Sequence, residues 1–438
     1  MGIDNNLFDK FTEEVCTQIK CTEVHQDIKE ELACHLEDIK GEYIAQGSSF
    51  QEAEKLAISH MGDSEKIGFD LNKVYKKAPE YKTLIICSLF VAFGLFTQFS
   101  IFKNSPKVMS YSNYITTIVC TLLGSLIGIT AYLFDYRKLE NYSWHIYFIT
   151  NFVFFLIVSF PYKINLILGI NLVGKNFDIA LATIILNSIA LNGILPRLTN
   201  LKYSIIKKLS LIALCIYLIL ISDQYFCAAL FSIFSIILLV NSKINIRYIL
   251  ATIGASISVI CFAMFSTQYR YYRLIDLLNF RNNTSGANYL NEIIQKIILD
   301  SNLFGNGIST EILSNTPVIN EGLIYTYIIY TFGWVVALTL LILILFLLTN
   351  LFRTSKSIKN QYGRNLFTLI SFILAVEFLL SVALNLNLIP FVSAFMPFFS
   401  YSPFSTVVNL ALIGIICSIY GRKNLSKSLV VPKLQLNN

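Results

Sequence analysis

The sequence predicts an all-α, polytopic membrane protein with about ten transmembrane helices and a small N-terminal helical domain. Three observations carry this. Of the 438 residues, 55% are hydrophobic and 14% charged, with a mean hydropathy of +0.61, where a soluble domain carries about 25% charge. The apolar residues gather in long unbroken runs, unlike the alternating strands of an outer-membrane barrel. The charges also segregate: residues 1–80 hold 17 of the 27 acidic side chains against nine lysines, a net of −8, while residues 81–438 carry a net of +15. A soluble enzyme, a disordered chain and a disulfide scaffold are excluded on these grounds.

The acidic part comes first. Val24, Ile28, Leu32, Leu36, Ile39 and Tyr43 recur at three- and four-residue intervals and predict an amphipathic helix ending at Gly47, a residue suited to a left-handed C-cap. Ser49 followed by Glu52 is a capping-box pattern opening a second helix through Ala53, Leu56, Ala57 and Ile58, stopped by Gly62. Asp63 can cap a third through Ile67 and Leu71. Residues 1–80 thus read as a compact module, a solvated accessory domain without chemistry of its own. No signal peptide is expected ahead of it, since the first long apolar run begins after Tyr81. The nine cysteines are scattered with no C-x-x-C pair, as small buried residues of a reducing compartment would be. Cys21 and His25 stand four apart and would share a helix face, yet two residues do not close a zinc site.

The membrane part, residues 81–438, follows. Apolar runs fall near 82–101, 113–134, 144–160, 177–194, 208–222, 224–241, 248–267, 322–350, 366–388 and 404–420. With the N-terminus inside, the inner loops and tail hold sixteen Lys and Arg and the outer segments eight, so the positive-inside rule places both termini in the cytoplasm. That basic excess reports orientation and anionic headgroups. There is no basic stripe interleaved with exposed aromatics, and no nucleic-acid partner is expected. A long outer loop, 268–320, precedes the eighth run. Tyr289, Ile293, Ile294, Ile297 and Ile298 form a short apolar stripe in it, fit to lie in the outer interface and wall a cavity, and Gly305, Gly307 and Pro317 then break the chain.

Carboxylates in or beside spans are costly and mark functional candidates. Glu377 sits in the middle of the ninth run, Asp223 between the fifth and sixth, Asp178 at the start of the fourth, and Glu321 where the long loop enters the eighth. Asp178 and Asp223 are equally well read as caps at headgroup level; Glu377 implies a polar cavity or a buried partner. No Walker motif, G-x-S-x-G or H-E-x-x-H occurs.

Several stretches resemble one or the other of two known families. Glu31 to Lys77 is similar to the permease-prefix helical domain, which implies a cytoplasmic location. Leu386 to Lys423, LNLIPFVSAFMPFFSYSPFSTVVNLALIGIICSIYGRK, resembles the end of the SEDS family (shape, elongation, division and sporulation, of the FtsW/RodA/SpoVE type), whose pattern reads roughly GLLPxTGxxLPFxSYGGSS. Pro390, Pro397, Phe398, Ser400, Tyr401 and Ser405 fall in register. NYLNEIIQKIILDSNLFGNGIS (Asn288 to Ser309) resembles the family's GYQxxxSxxAIGSGGLFGKGL, Tyr327 to Leu341 its eighth span, and Tyr272-Arg273-Leu274 its loop opening; Asp223 falls at the Asp of QPDLGTAL.

The resemblance implies a glycosyltransferase of the bacterial plasma membrane that polymerises lipid II into glycan strands for shape, division or sporulation, beside a class B penicillin-binding transpeptidase. The family's acidic position at the start of span eight aligns with Gly322, so the neighbouring Glu321 becomes the candidate base. Arg270, Arg273 and Lys296 are the candidate cations for the leaving pyrophosphate, and Asp223, Glu377, Ser400 and Tyr401 the further substrate-side candidates. The family's QPSE aligns with Gly174-Lys175-Asn176-Phe177, and Ser402-Pro403 replaces the Gly-Gly of SYGGSS. No cofactor or metal ligand set is implied; assistance by a divalent cation stays open. A catalytically reduced paralogue that binds lipid-linked precursor or a transpeptidase is the alternative, and another lipid-linked sugar polymerase or a flippase a further one.

Overall fold

The computed structural model describes residues 7–22, 25–75, 79–106, 108–160, 176–198, 204–222, 224–241, 247, 250, 252–254, 257–258, 261, 265, 268, 289–308, 316, 319–389 and 395–424. The chain divides into two compact units, one comprising Met1–Glu80 with Tyr420–Lys427, the other Tyr81–Ile419 with Ser428–Asn438.

Four helices form the first unit: α1 (Leu7–Thr17), α2 (His25–Ala45), α3 (Phe50–Met61) and α4 (Ser64–Tyr75). Its core gathers Phe8, Phe11, Val15 and Cys16 of α1 with Ile28, Leu32 and Leu36 of α2 and Ala57 of α3. The stripe of α2 and the stop at Gly47, at φ +96°, match the sequence pattern, as does the capping box, with the Glu52 N–H donating to Ser49 Oγ and the Ser49 N–H to Glu52 Oε2. The periodicity left α1 unread, although it supplies much of the core.

One expectation is corrected here. Cys21 and His25 do not share a helix, because the chain turns between α1 and α2 and His25 begins the latter. The His25 ring Nε2 instead pairs with the Ile19 carbonyl at 2.8 Å, and the Cys16 thiol donates to the His25 carbonyl at 3.6 Å. Among the described residues no group of three or more His, Cys, Asp or Glu is placed to hold a metal ion. Lys40 is buried between Glu37 and Glu54, each at 3.5 Å, with its ammonium over the Phe50 ring at 3.9 Å. Such enclosure suits a long cation whose stem packs while its head keeps polar partners.

The second unit is also helical: α5 (Tyr81–Asn104), α6 (Tyr111–Leu133), α7 (Arg137–Asn141), α8 (Ser143–Ser159), α9 (Asn176–Arg197), α10 (Ser204–Ile221), α11 (Tyr225–Asn241), α12 (Tyr289–Leu299), α13 (Ile324–Phe332), α14 (Trp334–Ser355), α15 (Gln361–Asn385) and α16 (Pro403–Gly421). Among the described residues seven helices are long and apolar enough to cross a membrane, α5, α6, α9, α10, α14, α15 and α16, and two shorter apolar helices, α8 and α11, accompany them. More than half of the expected span at 248–267 lies outside the described residues. Large apolar side chains stand exposed along α6, among them Leu122, Leu126 and Ile129, an arrangement stable only against acyl chains. Of the seven long apolar helices α9 is the most enclosed, packed against α8, α11 and α15. Its Asn187 exchanges amide hydrogen bonds with Asn151 of α8 at 2.9 and 3.3 Å, each satisfying a group that lipid could not.

The run read as one span at 322–350 is two helices. They break at Gly333, whose φ is +90°. The turn 302–306 docks there: the Trp334 N–H donates to Asn302 O at 3.3 Å, Val335 N–H to Leu303 O at 3.1 Å and Asn306 N–H to Tyr330 O at 2.9 Å. A Cβ on Gly333 would collide with the Leu303 carbonyl and the Gly305 amide. Glycine is thus required twice over, by the backbone angle and by the close approach.

Candidate functional site

Three segments far apart in sequence meet beside α13. They are the segment 319–322 that leads into α13, the turn 395–402 that leads into α16, and the face of α5 from Gly94 to Ser100. The turn is tight. Phe398 adopts a left-handed φ of +69°, Ser400 Oγ accepts the Met396 N–H at 2.8 Å, and the Phe398 carbonyl lies where a side chain on Gly94 would stand. Small size at Gly94 lets the turn press against α5. Phe90 packs on Phe399 at 5.5 Å and Phe93 on Phe332 at 5.8 Å, closing the apolar side.

Hydrogen bonds then tie the segments together. The Tyr401 N–H donates to Asn320 O at 2.7 Å. Gln98 of α5 donates through Nε2 to that same carbonyl at 3.1 Å and to Phe399 O at 2.7 Å. Ser100 Oγ and Tyr327 OH lie 2.9 Å apart. From the other side Asn385, the last residue of α15, donates through Nδ2 to Gly322 O at 2.8 Å and accepts the Thr326 N–H at 2.9 Å. The peptide on either side of Glu321 is therefore held, while Glu321 itself is half-buried.

Glu321 and Tyr401 share one electrostatic environment. Burial, then the Glu321 carboxylate, then Cys120 push the Tyr401 phenol above the ordinary tyrosine value. A phenol kept protonated beside a carboxylate can donate to it or to a bound polar group.

Of the residues singled out from the sequence, Glu321, Ser400 and Tyr401 come together. Lys296 stands exposed on α12, whose buried face, including Ile294 and Ile297, packs against α13. Glu377 lies two helical turns before Asn385 on α15, about 12 Å along the axis. It lines a separate pocket with Ser405, Phe404 and Val408 of α16 and Leu181, Ala182 and Ile185 of α9. Asp178 falls in the first turn of α9. Asp223, Arg270 and Arg273 lie outside the described residues. Sequence reasoning misses Gln98, Asn385 and Thr326, because an uncharged polar side chain does not stand out within an apolar run as a carboxylate does. A buried amide or hydroxyl in a span also needs a partner, and that signal was present.

The fold and this convergence of loops define a multi-pass helical membrane protein with a cluster of buried hydrogen bonds beside its broken helix. A family model described as cell cycle protein, covering FtsW, RodA and SpoVE, matches residues 81–425. The chain belongs to this family.

Relatives and solved structures agree. The chain is 23% identical over 246 residues to a Francisella salina protein named probable peptidoglycan glycosyltransferase FtsW, covering 55% of this chain and 61% of that one. It is 26% identical over 171 residues to the Enterococcus hirae protein of the same name, covering 39% and 43%. The chain thus spans about three fifths or less of the length of these relatives. In three dimensions it is similar to a chain of a peptidoglycan synthase complex, with a TM-score of 0.61 and 15% identity, covering 79% of this chain and 99% of that one. It is also similar to the rod shape determining protein RodA of Thermus thermophilus, at a TM-score of 0.53 and 14% identity over 80% of this chain and 98% of that one.

Proposed function

We propose that this protein is a peptidoglycan glycosyltransferase that polymerises lipid II into glycan strands at the outer face of the bacterial plasma membrane, in company with a class B penicillin-binding transpeptidase. The observation that carries the reading is the clamped, half-buried Glu321 beside Tyr401, one residue before the position where the resemblance expects the acid. In the reaction an acceptor sugar hydroxyl attacks the anomeric carbon of a second lipid-linked sugar. A new C–O bond forms, the bond to pyrophosphate breaks with its electron pair leaving on phosphate, and the hydroxyl proton passes to Glu321. Arg270 and Arg273, with Lys296, meet the charge that develops on the leaving group. The 1–80 module faces the cytoplasm as a permease-prefix domain, and ten spans place both termini there.

One observation favours the rival, a catalytically reduced paralogue that binds precursor or transpeptidase. Gly322 stands at the expected acidic position, and Asn385 occupies its carbonyl. Lipid II polymerisation by the purified protein, alone and with a co-purified class B transpeptidase, separates the two. Glu321→Gln should lower turnover about 10²–10⁴-fold. Equal turnover in the two forms, or binding of lipid II without product, supports the paralogue.

A further inference from the structure

We infer that Gln98 is a positioning residue for the reaction centre: its amide head ties the Asn320–Glu321 segment to the Phe399–Tyr401 turn and thereby sets where the Glu321 carboxylate stands. The inference rests on the reading of Glu321 as the base.

Gln98 is 1% exposed, in the last two turns of the membrane-spanning helix α5. Its Nε2 donates to two carbonyls, Asn320 O and Phe399 O, that lie 222 and 301 residues away in sequence. A primary amide offers two N–H donors from one nitrogen without a charge, and both are used here on separate loops. The acceptor end of the same amide, Oε1, is buried without a hydrogen-bond partner among the described residues. A group kept in a span despite that cost is kept for what its donors do.

Geometry gives the tie its consequence. Neither loop belongs to a helix at this point, so regular hydrogen bonding does not set their spacing. Asn320 O is the shared node, taking the Gln98 amide and the Tyr401 N–H together. Glu321 follows Asn320 directly, so its Cα moves with that peptide unit. With the Gln98 head removed, Phe399 O loses this donor, and the node keeps only the Tyr401 bond. Base and phenol would then drift relative to each other, and a displacement of about 1 Å is enough to cost about 10²-fold in rate.

The test uses the full chain in nanodiscs with its transpeptidase partner, comparing wild type, Gln98→Leu and Gln98→Asn. Asparagine keeps both donors on an arm too short to reach both carbonyls. Gln98→Leu should lower the kcat of lipid II polymerisation about thirtyfold or more while KM stays within about threefold. The acid limb of the pH–rate profile should also move in both variants, which loss of packing alone would not cause. Independently of activity, amide exchange of peptides covering 319–322 and 395–402 should accelerate about tenfold or more, with α14 unchanged. Unchanged exchange in those peptides overturns the proposal, as does an unchanged kcat and pH profile in either variant. If exchange accelerates but Glu321→Gln polymerises like wild type, the tie stands and the reading of Glu321 falls. If Gln98→Leu does not fold, Gln98→Asn decides by the same readouts.

Discussion

Thr326 and Asn385 are joined through two donors: the Thr326 N–H donates to Asn385 Oδ1 at 2.9 Å, and the single Thr326 hydroxyl proton is shared between the same Oδ1 at 2.9 Å and the Asn385 carbonyl at 3.0 Å. All of them are buried. Since Asn385 also donates to Gly322 O, one side chain secures the first turn of α13 and the residue after Glu321. Asn385→Ala strands the Thr326 N–H and the Gly322 carbonyl. At about 1–3 kcal/mol for each buried group left unmade, the substitution should destabilise the membrane unit by about 2–6 kcal/mol. Thermal unfolding in detergent measures this, and a melting temperature equal to wild type would show that both groups find other partners.

Gly333→Ala should release the 302–306 turn. At φ +90° a β-carbon is strained, and it would meet the Leu303 carbonyl. The expected cost is about 2 kcal/mol or more. Because the bonds at risk are those of Trp334 and Val335 to the turn, amide exchange at 334 and 335 should rise well before that of the rest of α14. Exchange that rises evenly along α14 would contradict the docking.

Glu140 sets a pH dependence in the short helix α7. Burial, partly offset by Arg197 at 3.5 Å, raises its carboxyl above the ordinary glutamate value. The folded form therefore holds the proton more tightly than the unfolded form. Its contribution to stability is full below the ordinary glutamate range and is lost as pH rises through the raised folded value. Glu140→Gln, neutral at every pH, should melt at or above the wild-type temperature at pH 7, and the gain should vanish near pH 4. A variant that melts lower at pH 7 would mean that the Arg197 attraction outweighs burial.

The capping box of α3 behaves in the opposite sense. Hydrogen bonds from the Ser49 side chain and backbone hold the Glu52 carboxyl below its ordinary value. That contribution is present above the ordinary glutamate range and is lost as pH falls through the depressed folded value. Ser49→Ala should cost the first unit about 1 kcal/mol at neutral pH. It should also flatten the acid dependence of exchange at the start of α3, and an acid dependence equal to wild type would argue against the box.

How much of this was legible without coordinates differs by level. The helices of the first unit from α2 onward could be read because capping and periodicity are local, as Ser49, Glu52 and Gly47 show. Helix α1 was passed over, since its apolar positions acquire a partner only when Phe8 and Val15 reach α2. The membrane spans were legible because burial in lipid demands long apolar runs whatever their neighbours. The break at Gly333 was not, because an apolar run reads alike whether it is one helix or two.

For the site, the carboxylate at Glu321 and the turn residues Ser400 and Tyr401 were visible as chemistry and as resemblance. Their meeting was not. It depends on Asn320 O receiving both the Tyr401 amide and Gln98, two donors that lie 81 and 222 residues away along the chain. Composition and periodicity determined that this protein is helical, spans a membrane and carries an acidic helical module, because those properties follow from each segment's own solvent. Only the tertiary structure decided which polar groups stand together, because a buried hydrogen bond is satisfied by whichever group the fold brings within 3 Å, and no local pattern records that partner.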